Sequence, residues 1–170
     1  MKKTRTEMLV TLGLLVAIHI ILSRFLSINA WNIKIGFSFV PVFLAAYLYG
    51  PLAAGVVGAL ADFLGAILFP IGAYFPGFTL TCFLTGVVFG LLLHKKQTFP
   101  RILGAVALNQ LVVGLLINTL WISVLYGSPY GALVVTRFVQ CLILVPVEFV
   151  TIGFLSKTMV RLYRRREAVS

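Results

Sequence analysis

Long, uninterrupted apolar runs are the feature that most restricts how this chain can fold. Six of them lie near residues 7–24, 37–49, 51–69, 77–94, 101–125 and 132–160. An α-helix needs about 20 apolar residues to cross a hydrocarbon core of about 30 Å, whereas the strands of a membrane barrel are short and alternate polar with apolar residues. The pattern therefore predicts an all-α membrane protein, a bundle of six transmembrane helices. The run at 37–49 is too short to cross unaided, so it either starts inside the preceding loop or lies where the membrane is thinned.

Composition places the chain in the same class. Hydrophobic residues make up 61% of its 170 residues and charged residues only 11%, whereas a soluble domain carries about a quarter charged residues. The connections between the apolar runs are short and contain no linker, so residues 1–170 are interpreted as one domain. No clear internal repeat is visible, which disfavours the inverted-repeat architecture of many self-sufficient transporters.

Basic residues gather at three places along the chain, and these places predict its orientation. They are Lys2, Lys3 and Arg5 at the start, Lys95, Lys96 and Arg101 between the fourth and fifth runs, and Lys157, Arg161, Arg164, Arg165 and Arg166 at the end. Six crossings put all three groups on one side of the membrane, and the positive-inside bias makes that side the cytoplasm, with both termini. The net charge of +10 therefore mostly reflects topology. No nucleic acid partner is expected, and the terminal basic residues are predicted to contact anionic membrane lipid.

Polar residues inside the apolar runs are costly in a membrane, which makes them candidate functional residues. Counting from the outer end of each run at about 1.5 Å per residue places one group in the outer half of the bundle. This group is Arg24, Asp62, Asn118, Trp121, Arg137 and Gln140. Deeper polar residues are interpreted as packed or hydrogen-bonded between helices; they are His19, Asn109, Gln110 and Glu148.

Several members of the outer group also have a purely structural interpretation. Asp62 could form an ion pair with Arg137 that only fixes helix packing. Asn118 could hydrogen-bond a neighbouring helix, as polar side chains in membrane bundles often do. Trp121 and Arg24 could anchor their helices at the membrane interface. The sequence leaves these alternatives open.

The loops on the outer side are rich in aromatic residues, unlike the cytoplasmic connections. These residues are Trp31, Phe37 and Phe39 in loop 23–39, Phe69, Tyr74, Phe75 and Phe78 in loop 69–80, and Tyr126 and Tyr130 in loop 126–131. Small-molecule pockets are mostly apolar and carry a few placed polar groups. Aromatic loops over a polar floor therefore predict a pocket for a flat ligand on the outer side.

Two motifs give the chain a family resemblance. The segments GALADFLG (58–65) and FPIGAYFPGFTL (69–80) resemble those of the substrate-binding S components of energy-coupling factor (ECF) vitamin transporters, in the folate-specific branch. The resemblance covers nearly the whole chain, including the six runs. It implies a multi-pass protein of a prokaryotic cell membrane that binds folate or a related pterin outside. It also implies partners, namely one transmembrane coupling subunit and two ATPase subunits.

The resemblance also implies a docking site on the first helix. Members of the family carry the motif Ala-x-x-x-Ala there, and it docks on the coupling subunit. The matching positions in this chain are Gly13 and Ala17. Glycine in place of the first alanine still permits close approach of two helices, although small residues at this spacing are common in membrane helices.

Folate as the implied ligand suggests roles for the polar and aromatic residues. A pterin edge carries N–H donors in a pair, which a carboxylate such as Asp62 can accept. Asn118 would form further hydrogen bonds with the ring, and aromatic side chains would stack on it. Basic side chains would bind the anionic glutamate tail. The candidate substrate-binding residues are Asp62, Asn118, Arg137, Trp121, Tyr74, Phe75, Arg24, Lys34 and Gln140.

Other function classes fit the sequence less well. It has no GxxxxGK[ST] phosphate loop, so the chain is not expected to be an enzyme, and ATP hydrolysis is expected only on partner subunits. Its four acids and two histidines are too scattered for an intramembrane active site, so no catalytic residue, metal or cofactor is expected. Cys82 and Cys141 lack metal-ligand spacing and are interpreted as packing residues. Two alternatives stay open: an S component for another vitamin or a pyrimidine, and a self-sufficient ion-coupled transporter in which Asp62 carries a proton.

Overall fold

The computed structural model describes residues 5–30 and 33–167, with the main chain alone at residues 29, 30, 33, 34, 160 and 162–167. Its helices are α1 (Arg5–Arg24), α2 (Phe39–Tyr49), α3 (Pro51–Leu68), α4 (Pro76–Leu93), α5 (Phe99–Ala107), a π-helical segment (Leu108–Ile117), α6 (Asn118–Tyr126) and α7 (Tyr130–Glu167). The stretch from α5 through the π-helical segment to α6 is continuous, so the described chain contains six helical rods. Five of them are long and apolar enough to cross a membrane. The predicted six-helix membrane bundle is confirmed, with helix ends close to the predicted ones.

The outer loop between α1 and α2 contains a small hairpin that the all-helical prediction did not include. Its strands, β1 (Ile28–Ala30) and β2 (Ile33–Ile35), pair antiparallel with Ile28 opposite Ile35. Isoleucine is β-branched and favours extended backbone, and pairs of such residues across two strands stabilise a hairpin. The hairpin lies beside α7 on the outer side of the bundle.

Helix α2 is short because it forms the floor of a space rather than a full crossing. At 11 residues it is about 16 Å long, half the thickness of a hydrocarbon core. It begins at Phe39, beyond the preceding loop, and ends at Tyr49. Gly50 follows with a φ of 89°, which allows the chain to turn directly into α3. Phe39, Val42 and Phe43 are buried in the core of the bundle. The outer half of the bundle above α2 is therefore left open between the longer helices.

Helices α3 and α4 approach each other closely because glycines line their contact. A Cβ added to Gly86 would overlap the backbone carbonyl of Ala54, and one added to Gly90 would overlap Pro51. Across the same contact, a Cβ on Gly58 would lie 2.5 Å from the carbonyl oxygen of Cys82. Small residues of this kind let helix backbones pack directly against one another in membranes.

Gly86→Ala is expected to destabilise the folded chain by about 1–3 kcal/mol, because one methyl group forces two backbones apart in a close-packed interior. Gly104→Ala is the matched control, since Gly104 has no atom within 4 Å of its Cβ position. Thermal unfolding in detergent measures both. A Gly86→Ala variant as stable as Gly104→Ala would contradict the close contact between α3 and α4.

Candidate functional site

A cavity of about 410 Å³ occupies the space above α2. This volume is typical of small-molecule sites, which range from about 300 to 1,000 Å³. Its walls come from α1, α3, α4, α7, the fifth rod, the end of the hairpin and the loop at 71–74. Six of the nine candidate residues line it: Arg24, Asp62, Tyr74, Asn118, Arg137 and Gln140. The structure thus brings together most of the polar residues that the sequence singled out.

Near the outer end of the cavity, four side chains form a connected group, termed the outer cluster: Arg24, Asp62, Tyr74 and Thr79. The Asp62 carboxylate lies 3.8 Å from the Arg24 guanidinium and accepts a hydrogen bond of 2.9 Å from the Thr79 hydroxyl. The Tyr74 hydroxyl is 3.2 Å from the Thr79 hydroxyl. Arg24 also donates to the backbone carbonyl of Asp62 at 3.4 Å. Both carboxylate oxygens of Asp62 therefore already have partners.

Arg24 reaches Asp62 because α3 has a glycine where the arginine crosses it. A Cβ at Gly65 would lie 2.9 Å from the Arg24 side-chain nitrogen Nε. Gly65, the last residue of GALADFLG, thus makes room for the ion pair. The side chains of Arg24 and Asp62 are only 11% and 17% exposed, so water screens their attraction less than it would at an open surface.

The alternative interpretation of Asp62, an ion pair with Arg137, does not match the structure, in which Asp62 pairs with Arg24. Arg137, on α7, instead donates to the backbone carbonyl of Gly114 at 3.2 Å. It is buried at the cavity wall, as is Gln140 one turn further along. Asn118 lines the cavity from α6, and its side-chain oxygen is buried without a hydrogen-bond partner among the described residues.

Three candidate residues do not lie on the described cavity wall. Trp121 donates to the Thr81 hydroxyl at 3.1 Å, and its ring packs against Phe75 with centroids 5.7 Å apart. The two rings therefore stand behind Thr81, which does line the cavity, and they support the wall rather than form it. Lys34 lies on β2, and its side chain falls outside the described part of the structure.

The opposite end of the cavity is polar as well, although the sequence favours hydrogen bonding between helices as the role of its residues. This deep end consists of Asn109, Gln110 and Glu148. The Gln110 amide donates to Glu148 Oε1 at 2.6 Å, and the Asn109 amide donates to the backbone carbonyl of Thr85 at 3.3 Å. The other side-chain oxygens of Asn109 and Glu148 are buried without a partner in the described chain. All three residues line the cavity, as does His19 nearer the outer end of α1.

The π-helical segment explains why Asn109 was missed. In an α-helix, nine residues make about two and a half turns, which would put Asn109 and Asn118 on opposite faces. Between them the structure is π-helical, with i→i+5 hydrogen bonds and more residues per turn, and both asparagines line the cavity. Such segments often occur at functional sites. A search for residues that share one face of an α-helix therefore does not place Asn109 beside Asn118.

Glu148, in contrast, left a signal in the sequence. Arg137, Gln140, Cys141, Leu144 and Glu148 are spaced at 3, 4, 7 and 11 residues from the first, which is one face of an α-helix. All five line the cavity. Extending the face that carries Arg137 and Gln140 by two turns would have found Glu148.

Both cysteines also line the cavity, Cys82 from α4 and Cys141 from α7. The Cys141 thiol lies 3.4 Å from the backbone carbonyl of Gln110 and donates to it. Within the described residues, no group of three or more His, Cys, Asp or Glu side chains is arranged to hold a metal ion. The cavity thus has polar side chains at both ends and cysteines between helices along its wall.

This architecture is similar to that of known membrane transport proteins. A family model described as the substrate-specific component of ECF transporters matches residues 7–155. The folate transporter FolT of Clostridium novyi (strain NT) is 40% identical over 149 residues, 87% of either chain. FolT of Leuconostoc mesenteroides subsp. mesenteroides is 31% identical over 153 residues, which are 86% of this chain and 82% of that one.

Two solved structures have folds similar to that of this chain. A crystal structure of FolT bound with folic acid matches with a TM-score of 0.86 and 33% sequence identity, covering 90% of this chain and 94% of the other. A structure of the S component of a bacterial ECF transporter matches with a TM-score of 0.62 at 23% identity, over 98% of both chains. The second likeness concerns the fold alone.

Proposed function

Because this chain belongs to the family of ECF transporter substrate-specific components, we propose that it is the folate-binding membrane subunit of an ECF-type uptake transporter. The observation that carries the proposal is the cavity of about 410 Å³ with a polar group at each end. Folate has a matching layout, with a hydrogen-bonding pterin at one end, an aromatic middle and an anionic glutamate at the other. The FolT relatives and the FolT structure with folic acid support the same ligand.

The outer cluster suits the glutamate tail. Arg24 can bind the ligand's carboxylate as well as Asp62. Its ion pair with Asp62 is long, at 3.8 Å, and a guanidinium has five N–H donors, so some of them remain for the ligand. Lys34, whose main chain lies on the hairpin strand β2, is the second basic residue proposed for the tail. Asp62 contributes by holding Arg24 in place, and Tyr74 adds a hydroxyl and a ring at the same end.

The middle of the cavity suits the rest of the ligand. Asn118 offers a side-chain oxygen without a partner in the described chain, which makes it a ready acceptor. Arg137 and Gln140 present polar groups from α7 across the same space. Phe75 and Trp121 stabilise the wall from behind. A buried polar group with no partner costs about 1–3 kcal/mol, and a ligand donor would relieve that cost.

The outward face of α1 suits a partner subunit. Gly13 and Ala17 lie one turn apart and are both exposed, and no atom lies within 4 Å of a Cβ built on Gly13. Small exposed residues at this spacing allow a second helix to approach closely. A transmembrane coupling subunit with two ATPase subunits is the partner proposed here, and ATP hydrolysis belongs to those subunits.

Purified chain is expected to carry or bind folate at a ratio approaching one molecule per chain. The ultraviolet spectrum of small molecules released by denaturation shows whether a pterin is present, and titration of ligand-free protein with folate gives the affinity. Thiamine and a pyrimidine nucleobase serve as controls that should not compete. Release of a different chromophore, or competition by either control compound, would reassign the subunit to another ligand.

A further inference from the structure

We propose that the deep end of the cavity recognises the hydrogen-bond donor edge of the ligand's heterocycle, and that Glu148 is the residue that selects a 2-amino-4-oxo ring. The inference rests on the proposed folate function and adds to it the orientation of the ligand and the source of its ring specificity. The sequence had suggested Asp62 for this task. The structure favours Glu148 on three grounds.

The first ground is the state of the Glu148 side chain. It is 6% exposed and lies on the cavity wall in the apolar interior of the bundle. One oxygen accepts from Gln110 at 2.6 Å, while the other is buried with no partner among the described residues. An acid inside a membrane is costly and is retained where it pairs with another group or serves a function. The unused oxygen is therefore available to a ligand.

The second ground is that the deep end offers acceptors. The Asn109 amide nitrogen is engaged by the Thr85 carbonyl, which leaves the Asn109 oxygen as its unused group. The Gln110 amide nitrogen is likewise engaged by Glu148. Asn109 and Glu148 thus present oxygens that need donors. A ligand that fits here must bring several N–H groups on one edge.

The third ground is the contrast with Asp62. Both Asp62 oxygens have partners within the chain, from Arg24 and Thr79. A ring bound there would have to displace or share those partners. The ring N–H and the 2-amino group of a pterin lie side by side and can bind the two oxygens of one carboxylate in parallel. Glu148 Oε2 is unused, and Oε1 keeps a second lone pair beside its bond from Gln110, so Glu148 can accept both donors. With the ring at Glu148, the glutamate tail extends toward Arg24 at the other end.

The test compares two rings and two positions. Affinities are measured for 2-amino-4-oxopteridine and 2,4-dioxopteridine. In the second compound an oxo acceptor replaces the 2-amino donor and N1 carries a proton, so the ring N–H at position 3 no longer has a second donor beside it. The natural chain should prefer the 2-amino ring by about a hundredfold or more, because a site built to accept hydrogen bonds rejects an analogue that lacks the donor. Glu148→Gln should weaken folate and the 2-amino ring by at least about tenfold and reduce the preference between rings. Glu7→Gln, the same change at an exposed residue of α1, should alter neither.

A ligand that lacks the pteridine ring shows whether Glu148→Gln weakens ring recognition alone or disturbs the whole cavity. p-Aminobenzoylglutamate carries the tail only, so its affinity should be the same for the natural chain and Glu148→Gln. A preference between rings that survives in Glu148→Gln overturns the inference, as does a natural chain that binds both rings equally. If Glu148→Gln does not fold, Glu148→Asp keeps the charge but withdraws it by one methylene. It should then weaken the 2-amino ring at least about tenfold, and unchanged ring affinity would overturn the inference. Failure of folate itself to bind the natural chain would instead refute the proposed function.

Discussion

Ala17→Trp in the complete transporter is expected to abolish ATP-driven folate uptake while leaving folate binding to the purified chain unchanged. Ala17 is exposed on α1 and lies one turn from Gly13, so an indole there blocks the close approach that small residues permit. It does not line the cavity, which α1 reaches through His19, Ser23 and Arg24. Uptake of labelled folate into proteoliposomes that contain the partner subunits and internal ATP measures the first quantity, and titration of the purified chain measures the second.

Two controls show whether size and position matter at Ala17. Ala17→Ser keeps a small side chain and should support uptake at close to the natural rate. Gly104→Trp places the same bulky ring on α5, where the glycine is exposed and has an open Cβ position, and it should also permit uptake. Uptake by Ala17→Trp at the natural rate would remove this face of α1 from the docking surface. A parallel loss of binding and uptake would show that the change acts on the fold or the cavity.

Helix number and order were readable from the sequence because hydropathy alone sets them in a membrane. Every main-chain polar group must be satisfied within the segment, so each long apolar run has one available structure. Even the short run was informative. Its 11 helical residues from Phe39 to Tyr49 mark the floor of the cavity, although the sequence alone could not tell a floor from a thinned membrane. The hairpin at Ile28–Ile35 was less visible because two strands of three residues carry little periodicity.

The sequence predicted the candidate site only in part, and the errors in that prediction have distinct causes. Choosing polar residues in apolar runs found five side chains that line the cavity, including Asp62 and Arg137, and the aromatic loop at 69–80 added Tyr74. It could not assign partners, because Arg24 reaches Asp62 through a gap at Gly65 that depends on the packing of α1 against α3. Judging depth by counting residues set Glu148 aside, since it measured distance from the surface and not distance from the cavity.

Asp62→Asn is expected to destabilise the ligand-free chain by about 3 kcal/mol, the lower end of the range for breaking a buried ion pair. The change leaves the Arg24 guanidinium without its counter-charge in a site where its side chain is only 11% exposed. Arg24→Gln should destabilise in the same sense, because it leaves the Asp62 carboxylate with only the Thr79 hydrogen bond. The double variant Asp62→Asn/Arg24→Gln removes both charges and should recover most of the loss. Asp62→Asn/Arg137→Gln is the matched control and should recover none.

Folate affinity of the same variants decides what the pair does for the ligand. Arg24→Gln and the double variant with Asp62→Asn both lack the guanidinium, so each should bind folate at least about tenfold more weakly, the size of one lost charge-assisted hydrogen bond. The isolated 2-amino-4-oxopteridine ring should bind them normally, because the ring is assigned to Glu148 at the other end of the cavity. Asp62→Asn alone keeps Arg24 and should keep its ring affinity. If instead Asp62→Asn leaves stability unchanged but abolishes binding of the ring, then Asp62 is the ring acceptor, and Glu148 must be a packing residue satisfied by Gln110.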